Sequence, residues 1–299
     1  MGRRVAVLMG GWSAEREVSL VSGAACCRAL EEAGHTVLPI RVERNPAALL
    51  AALEPRPDVV FNALHGRWGE DGCVQGLLEI LGIPYTHSGV MASALAMNKP
   101  MAKRLFAEAG IPVAPHVIAR AGDLLEAADP MPRPFVIKPL NEGSSVGVRI
   151  VRDGDPIPSA ADMPDMAVMV ERFIPGRELT VAVMGDRPLG VTEITTARGF
   201  YDYDAKYAPG GSRHMVPADV PDAVYAETLQ LAVAAHRSLG CRGVSRADLR
   251  WDGETLFMLE VNTQPGMTPT SLVPEQAAHA GISFPTLVDW MVETAACDS

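Results

Sequence analysis

Aromatic residues make up only 5% of this 299-residue chain, and cysteine occurs five times. Cys26, Cys27, Cys73, Cys241 and Cys297 form no CxxC pair and stand at no Cys/His metal spacing, so a zinc or iron–sulfur centre is not expected. Their odd number, with no secretory signal ahead of them, points to free thiols in a reducing cytoplasm. There is no run of about 18 apolar residues for a membrane span, and no apolar leader core precedes the first strand-like segment. Positive charge is scarce as well. Lys and Arg total 26 against 36 Asp and Glu, giving a net charge of −10 and a pI near 5.2. That balance argues against general binding to nucleic acid or to an anionic membrane, and leaves any polyanionic ligand to local lysines and arginines. The GxxxxGK(S/T) phosphate loop is missing too, which disfavours a Walker-type nucleotide hydrolase. No internal repeat or low-complexity tract occurs.

Apolar residues are plentiful, at 48% of the chain, and fall in short segments. Over residues 1–95, strand-like runs at 4–9, 36–42 and 58–62 alternate with helical stretches near 18–33, 49–53 and 74–81. Alternation of that kind predicts a Rossmann-like parallel sheet covered on both faces, with a further strand beginning at Ile83–Tyr85. Ligands of such sheets bind beyond the carboxyl ends of the strands, where Gly10-Gly11 and His65-Gly66 lie. A second unit, 96–175, opens on a helix capped by Asn98 with Pro100 in its first turn. Strands follow at 135–139, 146–151 and 168–171. A third unit, 176–299, contains strands near 179–184 and 189–194, a helix at 223–239, a hairpin over Asp248–Asn262 and a helix at 284–294. The expected class is α/β, becoming α+β after the first unit.

Four features carry chemistry. Arg246 and Asp248 lie two apart on one strand of the hairpin, and Glu260 and Asn262 two apart on the other, so each pair shares a face. Two carboxylates and an amide oxygen are hard ligands of the kind Mg²⁺ prefers beside a phosphate; a solvated hairpin with one surface ion pair is the plainer alternative. A three-residue turn at Gly253–Thr255, or a bulge, would put Asp248 across from Glu260. A two-residue turn at Asp252-Gly253 would put it opposite Phe257 and send Glu260 to the other face. The second feature is the loop Glu142-Gly143-Ser144-Ser145-Val146-Gly147, which joins two strands. Its N–H groups can cradle phosphate oxygens, with Lys138 at the adjoining strand end. Third, Lys99 stands at a helix start, where the dipole also favours anions. Fourth, Glu171 and Glu178 flank the junction of the second and third units, where carboxylates can accept hydrogen bonds from a ribose or an adenine amine.

In order along the chain, these segments resemble the ATP-grasp superfamily and, within it, the D-alanine–D-alanine ligase family. The resemblance spans nearly the whole sequence, through Gly10–Leu20, Leu64–Gly72, Lys138–Gly147, Tyr201–Tyr207 and Glu260–Leu272. It implies an ATP-grasp fold behind an N-terminal substrate-binding domain, and ATP-dependent ligation of two D-alanines through an acyl phosphate for peptidoglycan synthesis. It further implies ATP and two Mg²⁺ ions, with Mn²⁺ able to substitute, and a cytoplasmic homodimer without nucleic-acid or membrane partners. By motif position, Lys99, Lys138, Glu171, Glu178 and Lys206 are the implied ATP ligands, Lys206 meeting the transferred phosphate. Asp248, Glu260 and Asn262 are the implied metal ligands. Glu15 would anchor the first D-alanine's ammonium, with Ser144 and Tyr207 as hydrogen-bonded partners closing loops over it. Arg246 and the Gly266 N–H would stabilise the tetrahedral oxyanion. Ser271 and Leu272 would hold the second D-alanine's carboxylate, and His65 would position substrate. Arg172 departs from a lysine common in the family beside the adenine, and Trp68 and Gln264 fall at variable positions. Ligases joining D-alanine to D-serine or D-lactate, and a non-catalytic nucleotide-binding protein on the same scaffold, are the alternatives. Tyr207 favours the dipeptide, and the full set of metal carboxylates and phosphate lysines favours catalysis.

Overall fold

The computed structural model describes residues 2–126, 129–141, 143, 147–158, 166–196 and 211–298. The first part comprises β1 (Arg4–Gly10), α1 (Arg16–Glu32), β2 (Thr36–Val42), α2 (Pro46–Ala52), β3 (Val59–Asn62), α3 (Cys73–Leu81) and α4 (Val90–Met97). Next come α5 (Lys99–Glu108), β4 (His116–Arg120), α6 (Asp123–Glu126), β5 (Phe135–Pro139), β6 (Arg149–Val151) and β7 (Ala167–Arg172). The last part holds β8 (Arg177–Met184), β9 (Arg187–Thr195), β10 (Arg213–Met215), α7 (Asp222–Ser238), β11 (Val244–Trp251), β12 (Leu256–Asn262), α8 (Leu272–His279) and α9 (Phe284–Glu293).

β2, β1 and β3 form a parallel sheet in that order. Strand alternation divides β1 between two cores. Val5, Val7 and Met9 pack with Leu30 of α1 and with Leu287, Val288 and Met291 of α9. Ala6 and Leu8 pack with Leu49 of α2 and Leu78 of α3. Both faces are thus covered, as a parallel sheet requires. Ile83–Tyr85 does not become a strand: Tyr85 makes single bridges to Val60 and to Ala296. Among the described residues, no helix is long and apolar enough to cross a membrane.

The two remaining sheets are antiparallel, ordered β4-β7-β5-β6 and β10-β9-β8-β11-β12. In the four-stranded sheet, Phe135, Ile137, Val168 and Val170 face one core, which leaves Lys138 and Glu171 on the opposite face. In the five-stranded sheet, Leu179, Val181, Ala247 and Leu249 pack beneath α5 and α7 with Phe106, Ala232 and Leu239. Glu178, Thr180, Arg246, Asp248 and Arg250 therefore share its other face. The sheets meet along α5 and the segment after it, where Met258 donates its N–H to Pro112 O at 2.8 Å.

The hairpin register is a compromise between turn and bulge. Trp251 pairs with Leu256, so the turn has four residues, Asp252 to Thr255, with Asp252 Oδ1 accepting from the N–H groups of Glu254 and Thr255 at 3.0 and 2.8 Å. Leu249 pairs with Met258, yet Asp248 pairs with Glu260, leaving Leu259 as the extra residue of a bulge. The bulge lets Met258 and Val261, three apart, both face the core, and it sets Glu260 across from Asp248 and Asn262 across from Arg246. Of the two arrangements that would align Asp248 with Glu260, the bulge is the one present, behind a four-residue turn.

Gly176, between β7 and β8, has φ +94°, and a Cβ there would lie 2.1 Å from Trp251 O. Gly176→Ala is therefore expected to lower unfolding stability by about 1–3 kcal/mol, measured by urea denaturation.

Candidate active site

The carboxyl ends of β1 and β3 carry the first group of site residues. Gly10 and Gly11 have φ of +90° and +78°, turning the chain off β1 towards α1. Ser19 Oγ then ties both strands together, accepting from Gly10 N at 2.8 Å and donating to Ala63 O at 2.7 Å. Glu15 ends this turn, buried at 7% exposure. Its Oε2 stands so close to Gly66 and Gly143 that a Cβ on either would come within 2.9 and 3.1 Å of it. Gly143, in the loop after β5, is equally close to Glu70 Oε1. Burial and the charge of Glu15 push the Glu70 carboxyl well above the usual carboxylate range, with Glu260 adding and the Gly66 N–H and Lys99 opposing. Glu70 thus lies within the field of both the Glu15 pocket and the hairpin face.

His65 is buried, and its Nε2 lies 3.1 Å from Ser22 Oγ, which accepts from Met267 N at 3.3 Å. Burial lowers the His65 pKa below the ordinary imidazole value against the pull of Glu15, so the ring is neutral at physiological pH. A second link crosses at the same level. Asn62 Nδ2 donates to Gln264 Oε1 at 2.7 Å, and Gln264 Nε2 donates to Leu64 O. The loop after β12, which carries Gly266, is thereby fixed to the end of β3. A Cβ on Gly266 would meet Ser271 Oγ at 2.9 Å. Ser271 precedes α8 and bonds back to Thr268 Oγ1 at 2.7 Å, and Leu272 behind it is buried.

On the hairpin face, Arg246 grips Asp248 with two hydrogen bonds, Nε to Oδ1 at 2.9 Å and Nη2 to Oδ2 at 2.8 Å. Thr180 Oγ1 donates to Asp248 Oδ1 at 2.6 Å, and Asn262 Nδ2 donates to Oδ2 at 3.1 Å. Lys99 Nζ stands 3.9 Å from Glu260 Oε2, and its helix is tied to the loop after β5 by Lys99 N donating to Leu140 O at 3.2 Å. Among the described residues, no three His, Cys, Asp or Glu side chains converge as a metal cluster. The donor set is two carboxylates and one amide from directly paired positions on one face, a chemistry that fits a hard cation sharing its remaining positions with water and phosphate.

The four-stranded sheet contributes Lys138 and Glu171. Lys138 Nζ donates to Glu171 Oε1, and Lys103 Nζ lies 2.9 Å from Oε2. Burial works against charge on Glu171, but Lys138 and Lys103 outweigh it and hold the carboxyl at about 2. This value lies below the ordinary 4.5, so the stabilisation is complete above that pH and is lost as pH falls towards about 2. The stability gap between the protein and Glu171→Gln should therefore stay level from neutral pH to about pH 5 and shrink below it. Urea titrations across that range check this, and a gap that ignores pH would contradict it. Glu178 instead accepts from Arg250 Nη1 at 3.1 Å, while Arg250 also donates to Gly176 O at 2.8 Å and lies over Phe173. Arg172 is exposed and lies over the Phe257 ring.

Thirteen of the sixteen expected site residues thus lie after two strand ends of the parallel sheet, on the hairpin face and its neighbouring strand, in the loop from β12 to the start of α8, and on the helix and sheet opposite. Ser144, Lys206 and Tyr207 fall outside the described residues. The sequence reading missed Glu70, Lys103, Arg250 and Gln264. Arg250 was legible as the next same-face residue after Arg246 and Asp248. Gln264 gives no local signal, because its partners lie some 200 residues away, Leu64 among them.

Two antiparallel sheets meeting along α5, with lysines on one side and hairpin carboxylates on the other, make an ATP-grasp fold attached to a Rossmann-like sheet. The family model for the D-ala D-ala ligase C-terminus matches residues 105–293, and that for the N-terminus matches 46–88. The D-alanine–D-alanine ligases of Paramagnetospirillum magneticum and Rhodospirillum rubrum are each 66% identical, over 100% of both chains. The crystal structure of the Bacillus anthracis D-alanine–D-alanine ligase complexed with ATP superposes with a TM-score of 0.82 at 31% identity, covering 98% of this chain and 97% of that one. VanG D-Ala:D-Ser ligase of Enterococcus faecalis superposes at 0.80 with 30% identity, covering 98% and 99%. The chain belongs to the D-alanine–D-alanine ligase family.

Proposed function

We propose that the protein joins two D-alanines into D-alanyl-D-alanine, converting ATP to ADP and phosphate, and so supplies peptidoglycan synthesis. The observation that carries this reading is the loop after β5, where Gly143 lies against Glu15 Oε2 and Glu70 Oε1 while Leu140 O accepts from the N–H of Lys99, whose Nζ stands 3.9 Å from Glu260 Oε2. A carboxylate suited to an amino-acid ammonium and a lysine suited to phosphate therefore border one loop.

A carboxylate is a poor acyl donor because its leaving group would be an oxide. Attack of that carboxylate oxygen on the γ-phosphorus breaks the bond to ADP and leaves an acyl phosphate. The neutral amine of the second D-alanine then attacks the carbonyl carbon, and phosphate departs with the former carboxylate oxygen. Glu15 binds the first ammonium, and the Gly143 backbone approaches it closely enough to cover it. Lys99, Lys138 and Lys206 offset phosphate charge, and Glu171, paired with Lys138 and Lys103, uses its remaining lone pairs to accept from an adenine amine. Glu178 is the ribose acceptor. Asp248, Glu260 and Asn262 would hold two Mg²⁺ ions, or Mn²⁺, which neutralise charge on the phosphates. Arg246 and the Gly266 N–H stabilise the oxyanion of the second step. His65 acts through Ser22 on the Met267 N–H, positioning the Gly266 loop. Ser271 and Leu272, at the positive end of α8, receive the second carboxylate. Ser144 and Tyr207, outside the described residues, would serve as hydrogen-bonded partners of the Glu15 anchor by family resemblance. A cytoplasmic homodimer is part of the same proposal, and light scattering on the purified protein tests the assembly.

D-Alanine labelled with oxygen-18 in its carboxyl group tests the chemistry. The reading requires one labelled oxygen in the released phosphate. Unlabelled phosphate alongside dipeptide formation would remove the acyl phosphate.

A further inference from the structure

Lys103 is fully buried, at 0% exposure, and the ligation steps leave it without a task. It lies one helical turn beyond Lys99 on α5, so both reach towards the same side. Its Nζ stands 2.9 Å from Glu171 Oε2 and donates to Met258 O at 3.4 Å. Glu171 Oε1 is already held by Lys138. One buried carboxylate thus carries two ammonium groups, one more than neutrality requires. Burying an extra cation is costly, and burial pushes the Lys103 ammonium below the usual lysine range, with Glu171 opposing and Lys138 adding. An arrangement of that cost needs a state in which the second cation matters.

Nucleotide binding supplies such a state. Lys138 is at the end of β5, and its ammonium cannot fully serve both Glu171 and an incoming phosphate. If Lys138 were the sole partner, its departure would leave a buried carboxylate without a counter-charge. We infer that Lys103 is a positioning residue of the nucleotide site, keeping Glu171 ionised and fixed in place when Lys138 turns to the phosphate. The inference rests on the assignment of Lys138 and Glu171 to ATP. Among the described residues, the titratable groups facing Glu171 are Lys103 from α5, Lys138 from β5 and His116, its register partner on β4, with Glu260 of β12 in the field of Lys103.

Lys103→Met replaces the ammonium by an apolar chain of similar length. In that variant ATP strips Glu171 of its last cation, and the carboxylate takes a proton from solvent. Titration calorimetry with ATP and magnesium, in buffers of different ionisation heat, counts that proton. Above about pH 8 the measurement is clear of the phosphate and imidazole ranges. Relative to the wild type, Lys103→Met should take up an added fraction of a proton that grows as pH is lowered towards 8, and Lys103→Met/Glu171→Gln should add none. KM for ATP should rise about tenfold or more in Lys103→Met, with KM for D-alanine within about twofold of wild type. A purely structural Lys103 would lower the melting temperature without proton uptake or a change in KM for ATP, which would overturn the inference. Should Lys103→Met fail to fold, the wild type decides, since uptake near one proton there also overturns it. Lys138→Met separates the two levels. Unchanged ATP affinity in Lys138→Met removes the nucleotide assignment itself. Weakened affinity there, with no proton uptake in Lys103→Met, removes only the role of Lys103.

Discussion

Arg246→Ala is expected to lower kcat by about 10²–10³, the usual loss when one oxyanion donor is removed. The guanidinium is bound to Asp248 through two of its N–H groups at 2.9 and 2.8 Å, which fixes the orientation of the fork. The loss falls on the step that builds the oxyanion, so ADP affinity should change little. Asp248 keeps Thr180 and Asn262 as donors in the variant, which limits collapse of the face. Arg246→Lys should recover only part of the rate, because an ammonium is a point charge without the planar fork. Steady-state kinetics with calorimetric ADP binding separates these effects. A kcat within about fivefold of wild type would remove Arg246 from the chemistry.

Glu15→Gln is expected to raise KM at the first D-alanine site by about 10- to 100-fold, the worth of a charge-assisted hydrogen bond. Glu15 is buried and its Oε2 is enclosed by Gly66 and Gly143, so solvent cannot replace the lost charge. The amide keeps the shape, and folding should be preserved. The substitution also removes a charge that raises the Glu70 pKa, so Glu70 should ionise at lower pH in the variant, followed by carboxyl carbon NMR. An unchanged KM would mean that another group holds the ammonium.

Much of this architecture was legible because period and punctuation agree. The runs at 4–9 and 36–42 became β1 and β2, and Asn98 with Pro100 marked the start of α5. The pairing of Arg246 with Asp248, and of Glu260 with Asn262, followed from a two-residue period. The bulge did not, because Leu256-Phe-Met-Leu259 is apolar throughout and shows no alternation to reveal a slipped residue. β4 was missed for a related reason: Val117 and Ile118 are both exposed on an edge strand, so no inside–outside pattern exists. Tyr85 carried a strand signal, but it only bridges Val60 and Ala296, the latter from the far end of the chain. Lys103 shows the limit most clearly. A lysine on a helix suggests a solvated surface, and its burial arises where α5 meets Glu171 and Met258 from two different sheets.

The most direct test is ADP release by the purified protein with ATP and Mg²⁺, comparing D-alanine, L-alanine, D-serine and a D-alanine/D-lactate mixture, with products identified by mass. The predicted result is turnover that requires D-alanine and yields D-alanyl-D-alanine. ATP binding without D-alanine-dependent turnover would contradict the account, leaving the ATP-grasp fold without this substrate.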